Sequence, residues 1–206
     1  MRAKAAIARG NSLTPLLAVC GSLKPAPGRN DVSACRELLG RAVQPVARLY
    51  PAIATFDLRE ADLPPFDGRE AHAYEGSSVT AACKAVQSAG GYAFSIPTYW
   101  GSIGAGFKNF VEVVCGPGYT AQHTPFKGKP AAVLLVGSEP RGAIAAVPHI
   151  LAVLDSLGIY TVCEPVVVVD PRNPEIVSKA VQQFIGAIAG VAREIAARPV
   201  IAGDSK

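Results

Sequence analysis

The sequence predicts an α/β fold, a five-stranded parallel sheet with helices on both faces that form a three-layer sandwich. Two observations carry this. Short apolar runs bounded by turn residues occur five times along the 206-residue chain, and each is followed by a stretch with apolar residues at helical spacing. The connections are short, and no internal repeat, low-complexity segment or domain boundary interrupts the alternation. Residues 1–206 are therefore read as a single domain, with 1–13 as a flexible N-terminal tail.

The first apolar run, 16–20, has the character of a strand buried on both faces. A helix over 32–43 follows, with Val32, Cys35, Leu38, Leu39, Ala42 and Val43 on one face; Asn30 or Asp31 is its expected N-cap and Gln44-Pro45 its end. Residues 48–58 read as the second strand, weakened by Pro51. The loop 57–68 is stiffened by Pro64 and Pro65, and 70–77 is irregular. A helix over 78–89 stops at Gly90-Gly91 and gives way to the third strand, 92–96. The next helix spans 103–115, with Gly104 and Gly106 loosening its first turn. A long connection, 116–130, leads to 131–136, the clearest buried strand in the chain. A helix to about Leu157 follows the turn 137–142, the last strand spans 160–169 with a break near Pro165, and a helix over 175–197 closes the chain.

Composition narrows the function. Half the residues are apolar, 17% are charged and 7% aromatic, which is globular and not disordered. The net charge of +4 is mild, and no dense basic run is interleaved with aromatics, so no nucleic-acid partner is expected. The balance suits an enzyme that admits anionic substrates such as a pyridine nucleotide. No apolar run reaches the ~18 residues of a membrane span, and Arg2, Lys4 and Arg9 are followed by no long apolar core, so the expected compartment is the cytoplasm. The cysteines, Cys20, Cys35, Cys83, Cys115 and Cys163, are odd in number and scattered, with no CxxC pair, and are read as buried free thiols. His72, His123 and His149 stand in no metal or triad pattern and are read as structural or exposed. There is no GxxxxGK[ST] loop and no GxSxG elbow; the glycines at 101, 104 and 106 reverse the order of the dinucleotide fingerprint.

Three strands end in loops of unusual chemistry. In the order 2-1-3-4-5, a common doubly wound arrangement, strands one, three and four are neighbours, so one ligand can touch all three loops. The first carries Ser22, Lys24 and Arg29, with backbone amides around Asn30 to Val32 at a helix start. It is a seat for a phosphate or, equally, an ordinary β–α turn. Asp31 is awkward beside a dianion and takes no phosphate contact. The second loop, Pro97, Thr98, Tyr99, Trp100, Gly101, Ser102 and Ile103, places two aromatics at the mouth of the site, where they pack on a planar ligand or fill core or interface. Lys108, on the helix that follows, is read as a surface ion-pair partner. The third, Gly137, Ser138, Glu139, Pro140, Arg141 and Gly142, suits the edge of a heteroaromatic ring, where Arg141 either stabilises developing charge or is solvated.

Gly21-Ser-Leu-Lys24, the Asp62-Leu-Pro-Pro-Phe-Asp67 loop, the 97–109 segment with its closing Lys108-Asn109, and the 131–142 strand and loop together resemble the NADPH-dependent FMN reductase family of flavodoxin-like proteins. The likeness spans about residues 16–157. It implies FMN-phosphate contacts from Ser22, Lys24, Arg29, Asn30 and Val32, ribityl and ring contacts from residues 97–103, and ring-edge contacts from Gly137, Ser138, Arg141 and Gly142. Lysine stands at position 24 where the family usually has arginine, a point charge in place of a fork. The implied activity is hydride transfer from NADPH (or NADH) to FMN and on to a small-molecule acceptor such as a free flavin, quinone or azo compound, with no obligatory side-chain acid or base. A homodimer or homotetramer is implied as well. The alternatives are a flavodoxin-like electron carrier without NADPH turnover, against which the basic charge balance speaks, and a flavin-free protein whose loop binds another anion.

Overall fold

The structure, a computed structural model, describes residues 14–24, 33–118 and 124–198. A parallel sheet runs through it in the order β2-β1-β3-β5, with the last position shared by two short strands. These are β1 (Leu16–Cys20), β2 (Ile53–Asp57), β3 (Gly91–Tyr99), β5 (Pro130–Val136), β6 (Tyr160–Thr161) and β7 (Val166–Val168). β6 pairs with the start of β5 and β7 with its end, so the expected break near Pro165 splits one strand into two. The doubly wound order foreseen from the sequence is observed.

Alternation along the central strands explains the layers. Leu16, Ala18 and Cys20 face one core with α1 (Ala34–Ala47) and α6 (Pro174–Ala197), where Leu38, Phe184 and Ile188 are buried. Leu17 and Val19 face the other, with α3 (Ser77–Ser88), α4 (Ala105–Cys115) and α5 (Pro140–Ser156). Aromatic rings fill that second core: Phe94 meets Phe107 edge-on at 5.1 Å and Tyr92 stacks on Phe94 at 5.2 Å. Every residue of β1 and β5 is buried, as two-sided packing requires.

Several boundaries differ from expectation for local reasons. α1 runs through Pro45 to Ala47: the proline sits in the last turn, where one lost hydrogen bond is tolerated. Its N-cap is Ser33, whose Oγ accepts from the Arg36 N–H at 3.3 Å, whereas Asn30 and Asp31 lie outside the described residues. β2 is shorter than residues 48–58 and lies at the sheet edge. The loop after it opens with a one-turn helix, α2 (Leu58–Ala61), capped by Asp57. β3 continues past Ile96 to Tyr99 and turns back as β4 (Ser102–Ile103), an antiparallel hairpin. Glu139 caps α5, so Pro140, Arg141 and Gly142 belong to the helix and not to a loop. Cys20 and Cys35 are buried, Cys83 and Cys115 half-buried, and Cys163 is exposed, against the expectation of burial. Among the described residues no helix is long and apolar enough to cross a membrane, and no three metal-ligating side chains gather.

Candidate functional site

The carboxyl ends of β1, β3, β5 and β7 surround a cleft of about 540 Å³, in the size range of small-molecule sites. Ser22 and Lys24 line it from the first loop, Pro97, Thr98 and Tyr99 from the second, Gly137 and Ser138 from the third. The three loops read from the sequence as one site do meet there. Close contacts explain why. Leu23 seats against Gly106 in the first turn of α4, where a Cβ would stand 2.8 Å from the leucine Cγ. That glycine is an intimate contact between loops, not the loose turn expected. Gly137 does the same between β3 and β5: a Cβ there would stand 2.5 Å from Thr98 Oγ1 and 2.8 Å from Ala143 Cβ. The Asn109 side chain clasps the 62–67 loop, accepting from the Phe66 N–H at 2.7 Å and donating to the Pro64 carbonyl at 2.9 Å. Lys108 pairs with Glu112 on the surface, as expected.

Seven further residues of the lining escaped sequence reading. Ser33, Ala34, Cys35 and Glu37, at the start of α1, face the cleft, Val136 ends β5, and Pro171 and Arg172 stand in the turn after β7. A serine directly before a helical run was a signal for the first. Arg172 follows from the rule that ligands sit at strand carboxyl ends, applied to the last strand as well as to the other three.

Other predicted residues are placed differently. Arg29, Asn30 and Val32 lie outside the described residues. Trp100 and Gly101 form the two-residue tip of the β3–β4 hairpin, with φ of +52° and +73°. The Trp100 side chain is fully exposed, so it fills no core of this chain. Ser102 sits beneath the tip, its Oγ 3.2 Å from His149 Nδ1, and Ile103 packs partly into the second core. Arg141 and Gly142 lie in the first turn of α5, outside the cleft lining, and their amides are taken by the Glu139 carboxylate.

Hydrogen-bond donors gather at the start of α1. Its first turn is capped by the neutral hydroxyl of Ser33, and Ala34 and Cys35, whose amides fall among the orphan donors of a helix start, line the cleft, with the Glu37 carboxylate beside them as the one opposing charge of that turn. The start of α5, by contrast, is already neutralised by its own carboxylate. Ser22 is buried in the cleft wall and accepts the Lys24 N–H at 3.3 Å, and its own hydroxyl can donate to a ligand. Burial pushes the Cys35 thiol up to about 12, so it stays protonated and adds no negative charge. Buried hydroxyl, helix amides and lysine ammonium are donors for a phosphate, and Pro97, Tyr99 and Val136 supply apolar wall for a planar ring. The donor set fits FMN.

The sequence model of the NADPH-dependent FMN reductase family matches residues 14–173, which carry all three loops. The chain belongs to this family. As a member it is a flavin-dependent oxidoreductase. No curated protein matches it. Solved structures share its fold at low identity. An oxidoreductase from Corynebacterium diphtheriae is 14% identical with a TM-score of 0.68, over 91% of this chain and 100% of that one. An NADH:FMN oxidoreductase in its apo form is 20% identical with a TM-score of 0.68, over 90% and 92%. An NAD(P)H:acceptor oxidoreductase from Paracoccus denitrificans is 20% identical with a TM-score of 0.64, over 88% and 98%.

Proposed function

We propose that this FMN reductase family member binds FMN in the cleft and uses NADPH or NADH to reduce a small-molecule acceptor. The observation that carries the reading is the meeting of three loops, far apart in sequence, around one donor set suited to a phosphate and one apolar wall suited to a ring. Bound FMN would accept hydride from the nicotinamide at N5 and pass reducing equivalents to a free flavin, quinone or azo compound.

The chain's own part is to hold and shield. Ser22, Lys24 and the start of α1 grip the phosphate, with Arg29, Asn30 and Val32 assigned to the same turn by family resemblance. Thr98 donates to the Val136 carbonyl at 3.5 Å, which leaves the β3 and β5 ends as one rigid wall. Tyr99, half exposed, and Trp100 stand at the rim, where their rings can cover a planar ligand. Gly137 and Ser138 approach the ring edge; Arg141 and Gly142, in the first turn of α5, give their amides to the Glu139 carboxylate. No side-chain acid or base is required.

A second copy of the chain is the expected partner. Trp100, Ile144 and Leu151 are large apolar side chains exposed on the hairpin tip and on the outer face of α5. A homodimer or homotetramer would cover them.

The test is an absorbance spectrum of the purified protein with FMN, over the flavin window of about 350–500 nm, before and after anaerobic NADPH. Bleaching on NADPH addition supports the reading. A protein that binds FMN and is not bleached by either nucleotide is an electron carrier, and one that ignores FMN is not a flavoprotein.

A further inference from the structure

Beneath the first loop, on the side away from the cleft, three charged residues meet. Asp57 ends β2, Arg36 stands in the first turn of α1 and Arg59 in α2. The Arg36 guanidinium donates to Asp57 twice, Nε to Oδ2 at 2.5 Å and Nη2 to Oδ1 at 3.0 Å, a bidentate fork that is mostly buried. Its remaining nitrogen, Nη1, donates to the Lys24 carbonyl at 3.1 Å. Asp57 also accepts the Arg59 N–H at 2.9 Å, and Arg59 Nη1 donates to the Leu23 carbonyl at 3.4 Å. One carboxylate thus holds the Arg36 guanidinium and the Arg59 backbone N–H, and each arginine's guanidinium donates to one carbonyl of the turn.

A trans peptide points its C=O and N–H to opposite sides. Fixing the Leu23 carbonyl toward Arg59 therefore fixes the Lys24 N–H away from it. That N–H reaches Ser22 Oγ, which lines the cleft. The hydroxyl, already accepting, is left to donate, and hydrogen-bond chains of this kind strengthen one another. The residue after Lys24 is Pro25, which has no N–H, so the Lys24 peptide offers the cleft no donor of its own. The carbonyls of the turn are satisfied by arginine and the Lys24 N–H by Ser22 Oγ, so the donor the turn can offer a ligand is the Ser22 hydroxyl. Asp57 offsets the charge of Arg36 where it stands, so the pair acts on the turn and not as an anion site of its own.

We propose that Asp57, Arg36 and Arg59 form a latch that positions the 22–24 turn for the phosphate of the cofactor, so that they set the preference for a phosphorylated flavin over an unphosphorylated one. The proposal rests on the flavin reading of the cleft. The three are positioning residues, since none lines that cleft.

The test compares FMN with riboflavin, which differ only in the phosphate, by titrating the purified full-length protein and its variants and following flavin fluorescence. The wild type binds FMN more tightly than riboflavin. In Arg36→Met the FMN Kd rises about tenfold while the riboflavin Kd stays within about twofold, the loss of one well-aligned hydrogen bond to a charged group. Arg59→Met, a change at an exposed residue, moves FMN the same way by about threefold. Arg36→Lys, which keeps a donor for the carbonyl but loses the fork, falls between wild type and Arg36→Met. Should Arg36→Met fail to fold, Arg59→Met and Arg36→Lys carry the comparison. An unchanged FMN-to-riboflavin ratio in folded variants, or an equal loss for both flavins, overturns the latch and leaves the flavin site standing. A wild type that binds neither flavin overturns both.

Discussion

Replacing Asn109 with alanine releases the 62–67 loop from α4. The side chain makes two hydrogen bonds to half-buried backbone, 2.7 Å from the Phe66 N–H and 2.9 Å to the Pro64 carbonyl. Removing both leaves a donor and an acceptor that water reaches only in part, at about 1–1.5 kcal/mol each, so about 2–3 kcal/mol together. Alanine is the better helix former by about 0.5 kcal/mol, which offsets a fraction of that. The bonds win, and the net loss is about 2 kcal/mol, equivalent to a fall of about 4–8 °C in Tm for a chain of this size. Asn109→Asp keeps the acceptor for Phe66 and turns the donor into an oxygen facing Pro64, so it loses at least one bond. Urea unfolding reads both as a lower midpoint at constant m. An Asn109→Ala midpoint equal to the wild type would refute the claim that this side chain holds the loop.

Four other outcomes follow from the site and its surroundings. Trp100→Asn creates an Asn-Gly tip in a hairpin whose two central residues both have positive φ, and raises stability by about 1 kcal/mol; a melt showing no gain contradicts the strain argument. Gly137→Ala drives a methyl to within 2.5 Å of Thr98 Oγ1, lowers stability by about 1–3 kcal/mol and weakens FMN binding, read by melt and flavin titration; no change in either would show that the β3 and β5 ends can part freely. Ser33→Asp keeps an N-cap on α1 but sets a carboxylate beside the phosphate seat, so stability holds while FMN binds less tightly and riboflavin is little affected. Lys129 is held near about 8 by burial, with Arg198 adding to the fall, while its Nζ donates to the Val86 carbonyl at 2.8 Å. Between that value and 10.5 the unfolded chain binds the extra proton, so stability rises with pH across this window relative to Lys129→Met; a constant difference between the two urea midpoints sinks the assignment.

Features written in adjacent residues were legible in the sequence. The seven-residue apolar run of β5 and the all-buried β1 announced strands enclosed on both faces, and the turns after them announced where a ligand sits. Features that depend on residues meeting across the fold were not. Arg36 and Asp57 are 21 residues apart and read separately as a helix face and a strand end. Asn109 and Phe66 are 43 apart, so two motifs quoted side by side gave no sign that one grips the other. The hairpin was hidden for a different reason: tryptophan is not a turn-forming residue, and Trp100-Gly101 lacks the usual chemistry of a positive-φ pair. Ser33 was overlooked because Asn30 and Asp31 are equally good caps and stand nearer the glycine turn.

Several departures from local rules stand at the carboxyl end of the sheet. A proline stands inside the longest strand, a tryptophan adopts a left-handed backbone, and Gly106 and Gly137 sit where no side chain fits. Pro97 lies beyond the last residue of β1 paired to β3, and its carbonyl still accepts the Gly104 N–H at 2.7 Å, so the hairpin closes without a proline N–H. Trp100 has no such excuse. It contributes no burial to this chain, carries backbone strain, and exposes a large apolar ring, so folding gives no reason for it. At the opposite end the tight contacts serve packing alone: a Cβ on Gly91 would stand 2.7 Å from Val191 Cγ1 and 2.9 Å from the Pro130 carbonyl oxygen, and Thr124 Oγ1 donates to Leu157 O at 2.6 Å. Two cores, one on each face of the sheet, stabilise the fold well away from the cleft and let its rim hold residues chosen for another purpose. Residues that work against the fold must be explained by what they touch outside it, and the proposed ligand in the cleft and the proposed second chain across its mouth are what these residues would meet.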